Sequence, residues 1–235
     1  MTKNEKLNNM KKILFATFAL VAAVACAPNQ PRTIDWRVAD LPAIDSVMGN
    51  PVRFATPLGQ AVRFNGESDA YYLGENPLAG MTELTVEVIF RQHSNAKFEQ
   101  RFLHMGTVHG PRVLFETRVT PDNTWHLDTY IRLDGEVKQD LILINPTLNH
   151  PCDRWYNLTV VIADGKATSY VDGVQQFTGE LPYREIADGI TSIGVRQNKK
   201  SWFDGDLYRI RITPRALTTE EFLTDHKTLN ECSNR

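Results

Sequence analysis

Residues 155–176 hold two Asp-Gly pairs, Asp164-Gly165 and Asp172-Gly173, each bounded by strand-forming side chains. Asp-Gly supplies the positive φ angles that a tight hairpin turn requires. Residues 158–162 are all Leu, Thr, Val or Ile, which suit a pleated, half-buried surface. The segment therefore predicts three short antiparallel strands in tandem, and a chain that carries them is committed to β architecture.

Alternation elsewhere agrees. In residues 84–92, Leu84, Val86, Val88 and Phe90 fall on one face, with Thr85, Glu87 and Arg91 on the other. Residues 113–119 set Val113, Phe115, Thr117 and Val119 against Leu114, Glu116 and Arg118. Residues 125–133 set Trp125, Leu127, Thr129 and Ile131 against His126, Asp128, Tyr130 and Arg132, and Asp134-Gly135 then turns the chain into 141–144. Further strands are predicted at 61–64, 101–105, 190–195 and 206–213. Residues 36–59, with Pro42, Pro51 and Pro57, read as loop-rich. Thr218 and Glu221 form a capping box that predicts a short C-terminal helix through about Leu229. The fold class is all-β: a two-sheet antiparallel jelly-roll sandwich with a short C-terminal helix.

The N-terminus reads differently. Lys11 and Lys12 precede an apolar run over residues 13–25, about 13 residues and too short to span a bilayer. These are the parts of a signal peptide. Ala23-Val24-Ala25-Cys26 resembles a bacterial lipobox, whose cysteine is lipid-modified, although that pattern prefers Leu where Ala23 stands. The reading is a signal peptide with lipobox at 1–26, a polar tether at 27–35 and one domain at 36–235. The protein is expected to be exported and lipid-anchored through Cys26 to the bacterial outer membrane or cell surface, its only membrane contact. Cys152 and Cys232 then remain, and an exported compartment permits a disulfide between them. A chain of 235 residues at net charge −2, without a basic stripe, excludes nucleic acid as a partner.

Four phrases, AVRFNGESDAYY at 61–72, LTVEVIFR at 84–91, DRWYNLTVVIADGKATSYVDGVQ at 153–175 and FDGDLYRIRITPRALTTEEF at 203–222, occur in the order found in laminin-G-like jelly-roll domains. The chain resembles that family, within the concanavalin A-like lectin/glucanase superfamily. The resemblance implies the fold but not one function, because such domains serve as lectins, hydrolases, lyases and adhesion modules.

The candidate residues are weighed on chemistry. A retaining hydrolase needs two carboxylates about 5–5.5 Å apart, and the Glu-x-Asp-x-x-Glu strand motif of the glucanase relatives is absent. Glu87 is a weak catalytic candidate, otherwise a paired structural carboxylate. A lyase needs a base and cations. His126, Asp128, Tyr130 and Arg132 share a strand face, which Arg91, His104, Glu116 and Arg118 are expected to join, but the lyase relatives' Gln-Ile/Val-His motif is absent. Sugar binding asks only for rings beside planar polar groups. Its candidates are Trp125, Tyr130, Arg132, Arg118, Trp202, Arg196 and Asn198, with Trp202 either a ligand platform or a lid over the core. Calcium is often bound by the relatives, and Asp69, Asp204 and Asp206 are weak ligand candidates. Trp36, Trp155 and Phe203 read as core. The expected role is non-catalytic binding of a glycan or a cell-surface protein. The alternatives are a polysaccharide-degrading enzyme on the polar sheet face and a structural adhesion module.

Overall fold

The computed structural model describes residues 31–134 and 139–233. The signal segment with Cys26, residues 27–30 of the tether, Gly135 and the side chain of Cys232 lie outside the described residues. The strands, in chain order, are β1 (Ile34–Arg37), β2 (Ser46–Met48), β3 (Val52–Thr56), β4 (Gly59–Asn65), β5 (Ala70–Leu73), β6 (Leu84–Gln92), β7 (Glu99–Gly106) and β8 (Arg112–Val119). They continue as β9 (Thr124–Leu133), β10 (Gln139–Ile144), β11 (His150–Pro151), β12 (Trp155–Ala163), β13 (Lys166–Val171), β14 (Val174–Glu180), β15 (Ile190–Ile193) and β16 (Asp204–Thr213). One helix, α1 (Asp225–Ser233), follows.

The strands form two antiparallel sheets of 8 among the described residues, a jelly-roll sandwich. The back sheet runs β14-β13-β12-β6-β16-β4-β3, with β1 beside β16; the front sheet runs β10-β9-β8-β7-β15-β5-β2, with β11 beside β9. The tandem Asp-Gly hairpins form as predicted, with Asp164 at φ 51° and Gly165 at 71°, then Asp172 at 50° and Gly173 at 81°. These paired positive angles match the turn to the right-handed strand twist.

The predicted inward faces are buried. Leu84, Val86, Val88 and Phe90 meet Val113, Phe115, Leu127 and Ile131 across the interior. Phe90 is the hub. Its ring stacks on Phe102 at 5.1 Å and meets Trp125 edge-on at 5.0 Å, one contact on β7 and one on β9. Two bulges adjust the parity. One between Arg101 and Leu103 turns Phe102 inward. The other, between Leu207 and Arg209, lets Leu207, Ile210 and Ile212 all face the core while Tyr208 points to the opposite face.

Several expectations are corrected. The tether ends earlier than residue 35, because Ile34 and Asp35 already pair with Ile212 and Arg211. The loop-rich stretch contains β2 and β3. The capping box forms but opens only a 3₁₀ turn at Thr219–Glu221. Phe222 then becomes extended, at φ −66° and ψ 150°, which buries Phe222 and Leu223 before α1 begins. Trp155 is buried, but in a second cluster on the outer face of the back sheet with Tyr208, Leu223 and Leu229. The helix packs over this face, against β12 and β6. The Cys152–Cys232 bridge is not formed: Cys152 is a free thiol packed against the inter-sheet core, whereas the helix bearing Cys232 lies outside the back sheet.

Removing the hub ring should cost the most of any single truncation. Phe90→Ala is expected to lower stability by about 3–5 kcal/mol in urea denaturation; a loss below about 1 kcal/mol would show that Phe90 does not join the sheets.

Candidate functional site

Because α1 and the C-terminal segment cover the back sheet, the outer face of the front sheet is where side chains converge toward solvent. On β9, inward Trp125, Leu127 and Ile131 leave His126, Asp128, Tyr130 and Arg132 on the outer side. Strand β8 places Arg118 opposite His126, Glu116 opposite Asp128, Leu114 opposite Tyr130 and Arg112 opposite Arg132. Strand β7 adds Arg101 opposite Glu116 and His104 opposite Leu114. The expected grouping of His104, Glu116 and Arg118 with the β9 residues is therefore met. Arg91 and Glu87 are not part of it, since β6 belongs to the back sheet.

One half of this face is an ion network. Arg101 donates to Glu116 at 2.8 Å, and Arg118 bridges Glu116 at 2.9 Å and Asp128 at 2.5 Å. Glu99 extends it through Arg101 and through the Ser201 hydroxyl at 2.9 Å. Burial raises the pKa of Glu116 and of Asp128, and the nearby arginines pull each back toward ionisation. His126 is 7% exposed, with Nδ1 3.2 Å from Asn149 Oδ1. Burial, with a hydrogen bond to Asp140, raises the Tyr130 pKa, the opposite of what a phenolate base needs. The weak catalytic set therefore does not converge: Glu87 lies on the other sheet, Asp128 is neutralised, and Tyr130 is harder to ionise.

The other half surrounds Tyr130. Arg112 is only 5% exposed, lies 4.7 Å over the Tyr130 ring and donates through Nη1 to the Gly110 carbonyl at 2.8 Å. Arg132 is half-buried, near Asp134 at 3.6 Å and Asp140 at 3.8 Å. Arg196 and Asn198 come from the loop at 194–203. The loop is held by Gln197 between them, whose amide donates to the Gly106 carbonyl at 3.1 Å and the Ile190 carbonyl at 2.8 Å. Its backbone N–H also donates to His104 Nδ1 at 3.3 Å, which leaves Nε2–H for the Thr107 carbonyl at 3.2 Å. Burial, reinforced by Arg112, Arg196 and Arg101, lowers the His104 pKa to about 3, so the ring is a neutral staple. Sequence reasoning missed the His104–Gln197 pairing, which joins residues far apart in the chain and has no local signature.

The aromatic candidates separate. Trp202 is half-buried at the loop end, while the next residue, Phe203, plugs the core. Trp125 is fully buried against Phe90 and Tyr156, so it is no ligand platform; the alternation of β9 already placed it inside. Phe98, unremarked in a polar stretch, is 60% exposed with Arg118 5.8 Å from its ring centre. A concavity of about 720 Å³ opens beside α1 and is lined by Asp153, Arg154, Asp172, His226, Lys227, Asn230 and Glu231.

The calcium candidates do not fit a cation. Asp69 accepts the backbone N–H groups of Asn50 at 2.7 Å and Asn65 at 3.1 Å. Asp206 is fully buried and meets Arg63, Arg91 and His93; Asp204 meets His93 at 2.9 Å. Those cationic partners occupy the oxygens a metal would need. Among the described residues, no group of three or more His, Cys, Asp or Glu side chains is placed to hold a metal ion.

Glu87, with no exposure, pairs with Arg211 and accepts the Leu223 N–H at 2.6 Å, which docks the C-terminal segment. It is structural. Burial pushes the Cys152 thiol up to about 12, which keeps it protonated and unreactive.

Residues 65–222 match the family described as the Concanavalin A-like lectin/glucanases superfamily, and the chain belongs to it. The comparison with curated proteins found no match. Among solved structures, Trypanosoma rangeli sialidase in complex with sialic acid aligns at TM-score 0.53 and 16% identity, covering 78% of this chain and 29% of that one. The binding domain of Paraclostridial Mosquitocidal Protein 1 aligns at 0.52 and 14% identity, covering 75% and 45%. The binding domain of Botulinum Neurotoxin DC in complex with SialylT aligns at 0.52 and 12%, covering 75% and 44%. The chain thus spans under half the length of each of these three, and the likeness establishes the fold alone.

One pH dependence follows from the Asp204–His93–Asp206 cluster. Burial opposes charge on His93, yet the two carboxylates raise its pKa from 6.5 to about 9. Its contribution is therefore complete below about 6.5 and is lost as pH rises through about 9. Relative to wild type, His93→Gln should be less stable by about 1–2 kcal/mol at pH 6, allowing for solvent screening. The gap should close near pH 10. Chemical denaturation at both pH values checks this; a gap that stays constant would mean His93 is not a charged bridge.

Proposed function

We propose that this domain binds a glycan without cleaving it, through the front-sheet face between Tyr130 and the 194–203 loop. The observation that carries the reading is the half-buried Tyr130 ring under Arg112, together with the unpartnered Arg196 Nε and Asn198 Oδ1 of the 194–203 loop, a loop that also carries the half-buried Trp202. Rings stack on the apolar faces of sugars, and planar polar groups fix hydroxyls. Buried polar groups are normally satisfied, so unpartnered ones beside a ring mark a place where another molecule supplies the partner.

Cleavage is not supported by the same face. Its two closest carboxylates, Glu116 and Asp128, share Arg118 and are not free to act as acid and nucleophile. Support for glycan binding comes from these side chains, since similar folds at such low identity carry no ligand with them. The domain is further read as exported and held on a bacterial outer membrane or cell surface by an acylated Cys26, on the strength of the apolar run that ends there.

A glycan array probed with the purified chain should give a binder, and Trp202→Ala should weaken it by about tenfold or more with an unchanged melting temperature. An array without any binder would remove the glycan reading. New reducing ends released from a polysaccharide would replace it with the enzymatic one. For the anchor, Cys26→Ser should move the protein from the membrane fraction to the soluble fraction; a variant still in the membrane fraction would refute acylation.

A further inference from the structure

Among the described residues, the face around Tyr130 carries an imbalance of positive charge. Arg112 and Arg132 stand directly opposite one another on β8 and β9, an arrangement in which like charges repel. Arg196 approaches from the 194–203 loop closely enough for its charge to bear on both Arg112 and His104. Among the described residues, only Arg132 of the three has carboxylates within 4 Å, at 3.6 and 3.8 Å, and those belong to well-exposed Asp134 and Asp140. Arg112 and Arg196 have none.

The hydrogen-bond inventory points the same way. The Nε atoms of Arg112 and Arg196 are buried without an acceptor. Arg132 Nε has only the Asp134 and Asp140 carboxylates at 3.6 and 3.8 Å, beyond hydrogen-bond distance. Asn198 Oδ1, on the loop that carries Arg196, is also unpartnered. A buried donor left unmade costs free energy, more so when charged. Two of them, on Arg112 and Arg196, with Arg132 only loosely matched, define what is missing: an anion with several acceptor oxygens and no proton to give. A guanidinium offers two parallel N–H groups that match a carboxylate as a fork. The half-buried Tyr130 ring lies directly beside these forks.

The geometry points to an anion site at Arg112, Arg132 and Arg196 that takes the carboxylate of an acidic sugar. It rests on the reading that this face binds glycan, and it adds the chemical class. The neutral His104 beneath donates away from the site, to the Thr107 carbonyl, so it neither competes for nor repels the anion. Asn198 Oδ1, unpartnered on the same loop, can accept a hydrogen bond from a sugar hydroxyl.

The test is a titration of the full chain with sodium glucuronate, with glucose and sodium sulfate as separate arms, read by the arginine Nε–Hε NMR signals and by melting temperature. Glucuronate at millimolar concentration should shift the Arg112 and Arg196 signals and raise the melting temperature; glucose should do neither, and sulfate should do less. Arg196→Gln should weaken the glucuronate response by about tenfold or more. Without ligand, that half-buried change should leave the melting temperature equal or higher, because it relieves repulsion. Arg112→Gln provides a second variant at the deepest position. No shift with glucuronate, or an equal shift in Arg196→Gln, overturns the site; a sulfate response as strong as that of glucuronate overturns its preference for a carboxylate. The two readings fail separately. If the array shows a neutral glycan bound equally by Arg196→Gln, the glycan reading stands and the anion site falls. If glucuronate shifts the arginines while the array stays blank, the anion site stands and the glycan reading falls.

Discussion

The contact between Phe90 and the rings it meets on the facing sheet fixes everything else. Phe90 belongs to β6, in the middle of the back sheet, while Phe102 and Trp125 belong to the front sheet, so the three rings hold the layers in one registration. Once those rings face inward, the period of two along each strand assigns every neighbour to a side. Trp125 inside puts His126, Asp128, Tyr130 and Arg132 outside. The functional face is thus a consequence of core packing rather than a separate invention of the chain.

The outer faces of the two sheets treat charge in opposite ways. On the back sheet, Glu87 is wholly buried, yet Arg211 and the Leu223 N–H satisfy it, and the C-terminal segment closes over the pair. Removing one partner of such a pair is far more damaging than the pair itself is stabilising. On the front sheet, the Arg101–Glu116–Arg118–Asp128 network is likewise complete, but it stops at Leu114 and Tyr130. Beyond that line, among the described residues, the guanidinium groups outnumber their carboxylates and stay incompletely bonded. The contrast is between buried carboxylates that are each matched by a cation or an N–H group and, beside the Tyr130 ring, guanidinium groups that are not matched by described carboxylates to the same degree.

Much of this was legible in the residues. Asp164-Gly165 and Asp172-Gly173 fixed two hairpins, and alternation in β6, β8 and β9 assigned the faces correctly because each strand is long and turns one regularly apolar face to the inter-sheet core. What alternation could not convey were its interruptions. The bulges near Phe102 and Tyr208 insert a residue and reverse the sides locally, and no composition marks them. Strands β1, β2 and β3 are short or lie at edges among prolines, where burial is too slight to impose a pattern. The capping box at Thr218 and Glu221 is real, but tertiary burial of Phe222 and Leu223 overrode its propensity to propagate. The staple between His104 and Gln197 joins positions that local reading never compares. Trp125 qualifies as an aromatic ring for sugar stacking, but the alternation of β9 turns it into the core.

Strand β1 has a mechanical meaning. It is the first described strand, four residues long, zipped to β16 from Ile34↔Ile212 to Arg37↔Arg209 and clipped at its far end by Arg37 to Asp225 of α1. Tension entering the domain through Pro31 falls first on this strip, and the pairs nearest Pro31 part before the Arg37 clip is loaded. Peeling them bares the edge of β16 and, at Asp35, releases a carboxylate from Arg209. The layers joined by Phe90 lie beyond that strip, so β1 can part from β16 while the face around Tyr130 keeps its shape.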